Sequence, residues 1–379
     1  MVLTVPFHRP CIGDSEIMEV VRTLQSGWLT MGKKTLQFED MIAEEAGTDH
    51  AIAVNSCTAA LHLSLLAHGI GPDDEVITTP YTFIATSNVI VHAGARPVFV
   101  DVDPRTYNID PEKIVQAITK KTRAIMPVHF AGTQCNMKAI NQIADDHNLV
   151  VIEDAAHAIG GEYADKTPVG SSGNATCFSF YATKNMTTGE GGAVVTNEKG
   201  IADKIRRLRL HGMDKDAWKR YDANGSWYYE VTDCGWKYNM TDLNAAIGLH
   251  QLERLPFMTS CRVAVAEYYI KKLQNIKGLT APLRTPGSVF HLFPLQVFGK
   301  DRAQFISRMN DLGVQCSVHF LPVHMHPYYH KTFGTEATDC PNAGTLYLNE
   351  VSLPIFPDMT HDESKLVVDA VRAVMEEET

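Results

Sequence analysis

Between residues 51 and 155 the chain alternates short apolar runs with helical patterns, and this constrains its fold more than any other feature. AIAVN (51–55) reads as a strand and CTAALHLSLLAHG (57–69) as a helix. EVITT, ARPVFVDV, RAIMPVHF and LVVIEDA follow as strands, separated by the helical patterns TFIATSNVIVHAG, PEKIVQAI and MKAINQIADDHN. Pro111 suits a helix start, and Gly69 and Gly94 suit helix ends. Strand–helix–strand repetition at this spacing implies right-handed crossovers and a mostly parallel sheet with helices on both faces. The strands are continuous apolar runs, which a sheet covered on both faces requires.

Beyond residue 192, AVVTN reads as a strand and IADKIRRLRLHG as a helix. Residues 215–238 are rich in Trp, Tyr, Asp, Asn and Gly; a loop of that length inside a compact domain is usually functional or mobile. A long helical pattern starts near Thr241 and runs past Tyr269. HLFPLQVF (strand), 303–312 (helix), VQCSVHF (strand) and a helix from about His361 complete the chain. The expected architecture is α/β, with a large domain over residues 1–250 and a smaller C-terminal α/β domain over 251–379.

Composition narrows the function classes. With 45% hydrophobic and 21% charged residues the chain is an ordinary globular protein. A net charge of −10 disfavours nucleic acid as a partner. No run approaches the roughly 18 apolar residues of a membrane span. MVLTVPFHRP lacks an apolar signal core, so a cytoplasmic protein with no membrane partner is expected. The eight cysteines are scattered with no C-x-x-C pair; reduced, mostly buried thiols are expected. His319, His324, His326 and His330 cluster in sequence, but Pro327 interrupts any helix that would align them, so no metal is expected.

In parallel α/β sheets ligands bind at the carboxyl ends of the strands. After the first strand comes Asn55-Ser56-Cys57-Thr58, opening a helix whose N–H groups suit an anion; Ser56 or Thr58 could equally be a plain N-cap. Glu153 and Asp154 end LVVIEDA, where a buried carboxylate wants a cation. Ser179 and then Lys184 follow CFSF, and Lys184 could simply be the ion-pair partner of Asp154. No G-x-G-x-x-G follows the first strand and no G-x-x-x-x-G-K-[ST] is present, so neither a dinucleotide fold nor a P-loop is supported. Taken together, a helix-start phosphate site, a buried acid and a buried lysine on successive strands fit pyridoxal phosphate. The lysine amine condenses with the aldehyde, and the acid keeps the pyridine nitrogen protonated. Burial lowers the lysine's pKa, which leaves more of its amine neutral for attack.

The segments PYTF (80–83), VIEDAAHAIG (151–160), FSFYATKNMTTGEGG (178–192) and GWKYNMTDLNAAIG (235–248) closely resemble the DegT/DnrJ/EryC1/StrS family of fold-type-I, pyridoxal-phosphate-dependent sugar aminotransferases. SGWLTMGKK (26–34), VHFLPVH (318–324) and SLPIFPDM (352–359) match as well, so the resemblance spans nearly the whole chain. It implies that Lys184 binds the cofactor and moves the proton, and that Asp154 holds the ring nitrogen. It further implies that Tyr81 stacks on the ring, that His157 lies near its phenolic oxygen, and that Cys57, Thr58 and Ser179 hold the phosphate. Asn239 is expected to reach the phosphate of a neighbouring subunit, making a homodimer with a cross-subunit active site. His319 and His324 are expected near the sugar. Trp218, Lys219, Arg220, Trp227, Tyr228 and Tyr229 could stack on a nucleotide diphosphate or equally be a solvated loop. The K-Y-N form at 237–239 resembles the branch that makes UDP-4-amino-4-deoxy-L-arabinose, a lipopolysaccharide sugar, with glutamate as donor and 2-oxoglutarate as its product. Other nucleotide-linked 3- or 4-keto hexoses, or a non-catalytic cofactor-binding member, are the alternatives.

Overall fold

The computed structural model describes residues 3–214 and 228–377. Its large sheet has the order β1-β7-β6-β5-β4-β2-β3. The strands are β1 (His50–Val54), β2 (Glu75–Thr78), β3 (Arg96–Phe99), β4 (Thr122–Met126), β5 (Val150–Asp154), β6 (Ala175–Ser179) and β7 (Gly192–Thr196). Neighbours are parallel except β7, which is antiparallel to both β1 and β6. The reason is the connection. A parallel partner needs a crossover, usually a helix, whereas the turn between β6 and β7 folds back at the sheet end it started from, closed by Phe180 N–H on Gly191 O at 2.9 Å.

Alternate residues supply the two faces. Ala51 and Ala53 of β1 join one core, with Ile125, Val151 and Phe178; Ile52 and Val54 join the other, with Ala124, Ile152 and Cys177. Helix α3 (Cys57–Ala67) is buried along nearly its whole length, which is why its sequence shows no polar face. The expected punctuation holds: Pro111 opens α5 (Pro111–Ala117), capped by Asp110 on Glu112 N–H, and Gly69 and Gly94 take φ +76° and +86° just past α3 and α4 (Ala85–His92). Ahead of β1 lie α1 (Asp14–Ser26) and α2 (Lys33–Ala46); α6 (Met137–His147) and α7 (Lys199–Leu208) lie further along the chain.

The C-terminal part differs from expectation in places. The pattern from 241 to 269 is two helices, α8 (Asp242–Glu253) and α9 (Leu255–Leu273), because Pro256 lacks the N–H that would continue the first. VQCSVHF is no strand of a ladder; it touches β10 (Glu350–Leu353) through a single bridge between Ser317 and Ser352. The second sheet is three-stranded and antiparallel, order β10-β9-β8, with β8 (Leu279–Thr280) and β9 (Phe293–Val297). Its core joins Tyr269, Phe293, Leu295 and Val351 to Val371 of α13 (His361–Glu376), and also takes in Val5. Helices α10 (Arg302–Asp311) and α12 (Pro341–Asn349) pack beside it, whereas α11 (Pro327–Phe333) sets Tyr329 against Phe99 of β3 and Asn88 of α4. All eight cysteines are free, but only Cys57, Cys135, Cys177 and Cys340 are buried, fewer than expected. Among the described residues no helix is long and apolar enough to cross a membrane.

Candidate active site

The strand register brings the chemistry-bearing residues to one end of the sheet. Val54 pairs with Gly192, Gly192 with Ser179, and Asp154 with Cys177 on the neighbouring strand. The start of α3, the start of β7, the end of β6 and the end of β5 therefore border one cavity of about 590 Å³. Ser56 Oγ accepts the Ala59 N–H at 3.1 Å, capping α3. The N–H groups of Cys57 and Thr58 in its first turn have no partner within the helix, and both residues line the cavity with Ser179 and Gly191.

Asp154 is 4% exposed. Thr86 Oγ donates to its Oδ2 at 2.8 Å and Ala156 N–H to its Oδ1 at 3.1 Å. Burial pushes the carboxyl above its ordinary value, against those hydrogen bonds and the attraction of Lys184. No described residue forms an ion pair with it, so its charge still wants a cation from the cavity. Lys184 is on a bend five residues past the strand end rather than on the strand, its N–H held by Tyr181 O at 2.9 Å. Burial lowers its amine to about 8, with Cys57 and Asp154 pulling the other way. The fully buried Arg262 donates to Lys184 O at 3.5 Å and Ile355 O at 2.8 Å, tying α9 to this bend.

His157 accepts the Ala131 N–H on Nδ1 at 3.3 Å. Burial and nearby Lys184 drive its pKa well down, so the ring is neutral and carries its proton on Nε2. Phe320 stacks near it, centroids 6.4 Å apart. From the chain's beginning, Phe7 and His8 enter the cavity wall; His8 Nε2–H donates to Ala182 O at 3.0 Å.

Two expectations are corrected. Tyr81 does not face the cavity. It is 0% exposed, packed against Phe130 (5.2 Å) and Tyr107 (5.6 Å), because the chain after β2 turns it inward. Phe83 lines the cavity instead, 58% exposed, with its ring 6.1 Å from Phe320. His324 is also misplaced by sequence. It is 0% exposed, on a short helical turn after Pro322, beside Phe99 and Ala337 O, and lines no part of the cavity. His319 does line it, stacked on Phe7 at 5.4 Å. Asn239 is off this chain's cavity, accepting from Lys237 Nζ at 2.6 Å and donating to Met240 O. Trp218, Lys219, Arg220 and Trp227 lie outside the described residues; Tyr228 and Tyr229 are exposed and do not line the cavity. Among the described residues no group of three His, Cys, Asp or Glu converges as a metal site.

Sequence reasoning missed Thr86, Phe83, Phe320, Phe7 and His8. Thr82 and Thr86, one helical turn apart and hydrogen-bonded at 2.8 Å, were the only local signal. The rest arrive from distant parts of the chain.

This donor set fits pyridoxal phosphate: unpaired helix-start N–H groups for a phosphate, an acid without a cation for a pyridine nitrogen, and a partly neutral amine for an aldehyde. The comparisons agree. The DegT/DnrJ/EryC1/StrS aminotransferase family matches residues 10–372. The spore coat polysaccharide biosynthesis protein SpsC of Bacillus subtilis is 51% identical over 378 residues, covering 98% of this chain and 97% of its own. Helicobacter pylori PseC, an aminotransferase involved in pseudoaminic acid biosynthesis, has the same fold with a TM-score of 0.92 at 30% identity, covering 99% of this chain and 100% of its own. NtdA from Bacillus subtilis, solved with its cofactor PMP, gives 0.88 at 31% identity, covering 100% of this chain and 86% of its own. The chain belongs to the DegT/DnrJ/EryC1/StrS aminotransferase family and is a pyridoxal-phosphate enzyme.

Proposed function

We propose that this enzyme moves the amino group of glutamate to the keto carbon of a nucleotide-linked sugar, at C4 of a UDP-4-keto sugar of the 4-amino-4-deoxy-L-arabinose type. The observation that carries the aminotransferase reading is the convergence of Lys184, Asp154 and the start of α3 on one cavity. The bound cofactor supplies an electron sink that makes the substrate C–H acidic. Lys184, lowered to about 8, is neutral in a minor fraction at neutral pH, far larger than for an ordinary lysine, and in that form accepts or returns that proton. Asp154 keeps a positive charge opposite it. The Nε2–H of His157, which lines the cavity, would be the donor available to the phenolic oxygen of the bound cofactor. Cys57, Thr58 and Ser179 would hold the phosphate, and Phe83 would give the ring an apolar face. Phe7 and Phe320 keep water from the reacting atoms. Asn239 serves the cavity of a second copy of the chain, in a homodimer.

A second reading has its own support. The 51% identity to a spore coat polysaccharide biosynthesis protein favours a nucleotide-linked 3- or 4-keto hexose. One experiment serves both readings. Glutamate is expected to bleach the visible band of the loaded protein and release 2-oxoglutarate, and a panel of nucleotide keto-sugars, read by mass, then identifies the acceptor. Lys184→Ala is expected to abolish turnover while leaving the fold intact. A band untouched by glutamate, or turnover by Lys184→Ala without added amine, sinks the reading.

A further inference from the structure

His319 is the one cavity histidine whose second ring nitrogen leads into a buried acid. Its Nδ1 lies 2.8 Å from Ser352 Oγ, and Ser352 Oγ lies 2.5 Å from Glu350 Oε1. The other carboxyl oxygen of Glu350, Oε2, accepts the His319 backbone N–H at 2.8 Å. Glu350 and Ser352 are alternate residues of β10, so they share one face of the strand. Glu350 is 0% exposed. Phe7 stacks on the His319 ring and holds its plane, leaving Nε2 for the cavity.

A serine hydroxyl has one proton, and here it sits between two acceptors. That allows two self-consistent arrangements. With Glu350 protonated on Oε1, the acid donates to Ser352, Ser352 donates to His319 Nδ1, and His319 presents Nε2–H to the cavity. With Glu350 ionised, Ser352 donates to Oε1, His319 Nδ1–H donates to Ser352, and Nε2 is bare. The two differ by one proton, which leaves at Nε2 while the protons of Ser352 and Glu350 each move one place along the chain.

We propose that Glu350, Ser352 and His319 form a proton relay that delivers a proton from His319 Nε2 to the oxygen leaving the keto carbon of the sugar. The carbonyl oxygen must depart as water when an amino group replaces it, so it needs a proton donor. The Nε2–H bond breaks and the oxygen's O–H bond forms. Nδ1 takes the Ser352 proton, Ser352 takes the Glu350 proton, and Glu350 is left ionised until a proton returns along the same path. The ring is neutral before and after. This inference rests on the keto-sugar reading above. Glu350 and Ser352 act through His319 and are positioning residues.

The surroundings set the acid's poise. Burial pushes Glu350 up to about 8, against the hydrogen bonds from Ser352 and the His319 N–H and the attraction of Arg302. The titratable groups that face it are Arg302 of α10, Tyr81 after β2, Tyr107 after β3, and Cys316. Burial raises both tyrosines well above their ordinary value and Cys316 to about 12, so Arg302 is the one charge among these near neutral pH. Burial and Lys184 hold His319 down at about 4, so it changes tautomer rather than charge.

The test is a nitrogen-15 NMR titration of the histidine-labelled, cofactor-loaded enzyme from pH 6 to 10, with His319 assigned by its loss in His319→Asn. The wild type should show the Nε2–H tautomer at pH 6, converting to Nδ1–H through about pH 8, with no imidazolium. Glu350→Gln should stay Nε2–H throughout, because its amide N–H replaces the acid proton. Ser352→Ala should break the coupling. A His319 tautomer constant across the range in the wild type overturns the relay, as does a titration unchanged in Glu350→Gln; the wild-type titration decides even if a variant fails to fold. The tautomer reads out whether or not glutamate is consumed, so failure of the relay and failure of the aminotransferase reading are separate results.

Discussion

Tyr81 and Phe83 are two residues apart, yet one ring is sealed in the protein and the other faces the cavity. The buried Tyr81 hydroxyl has no hydrogen-bond partner, and an unpaired buried hydroxyl costs roughly 1–3 kcal/mol. Tyr81→Phe is therefore expected to raise the urea midpoint, by up to about 1 kcal/mol of stability, and to leave cofactor affinity unchanged. Phe83→Ala is expected to weaken cofactor retention about tenfold, as loss of an aromatic face contact of about 1–1.5 kcal/mol implies. Absorbance titration of the apo protein checks the pair, and a reversed pattern would return the stacking role to Tyr81. Lys184 and Asp154 were legible because ionisable groups beside buried strands need a chemical reason. Tyr81, Phe83 and His324 were not, because outside a regular strand or helix no period says which way a side chain points.

At the level of elements, the approach of β7 to α3 shapes the anion end of the cavity. A Cβ on Gly192 would lie 2.5 Å from both Cys57 N and Ser56 C. Gly192→Ala must push the start of α3 aside, and overpacking of that kind costs about 1–3 kcal/mol. The expected result is at least a tenfold loss of phosphate-dependent cofactor affinity with a lower urea midpoint. Wild-type values for both would show that the helix start does not hold the anion. The parallel strands were readable from their apolar runs, and β7 was readable as a strand, though not its direction. The direction follows from the turn that carries Lys184, which has no crossover helix. Pro256 could have divided α8 from α9, since proline favours the first turn of a helix over its interior. VQCSVHF alternates like a strand but finds no ladder: its backbone bridges β10 only between Ser317 and Ser352, and at His319 the contact is made by the Glu350 and Ser352 side chains instead.

Across the whole molecule, the cavity is closed by pieces far apart in sequence. His8 meets Ala182, Phe7 meets His319, and Arg262 meets Ile355. The homodimer proposed above needs an apolar face to meet its second copy, and the outer side of α1 carries one. Ile17 and Leu24, each 53% exposed, lie seven residues apart on one stripe with the half-buried Val21 between them. Covering two such side chains contributes about 3 kcal/mol or more, which suits a dimer contact. The double variant Ile17→Asp, Leu24→Asp is expected to sediment as a monomer and to lose cofactor, since Asn239 would no longer reach a neighbouring cavity. A wild-type protein that sediments as a monomer removes the cross-subunit reading.

Local pattern alone settled the sheet, its parallel run and the strand ends that carry Ser56, Asp154, Ser179 and, just beyond, Lys184. Periodicity and burial preference act over a few residues, and these features are made of a few residues. Which aromatic ring lines the cavity, which histidine does, and that Glu350 stands behind that histidine were decided only by folding. Those choices depend on contacts between segments hundreds of positions apart, and such contacts leave no periodic trace along the chain.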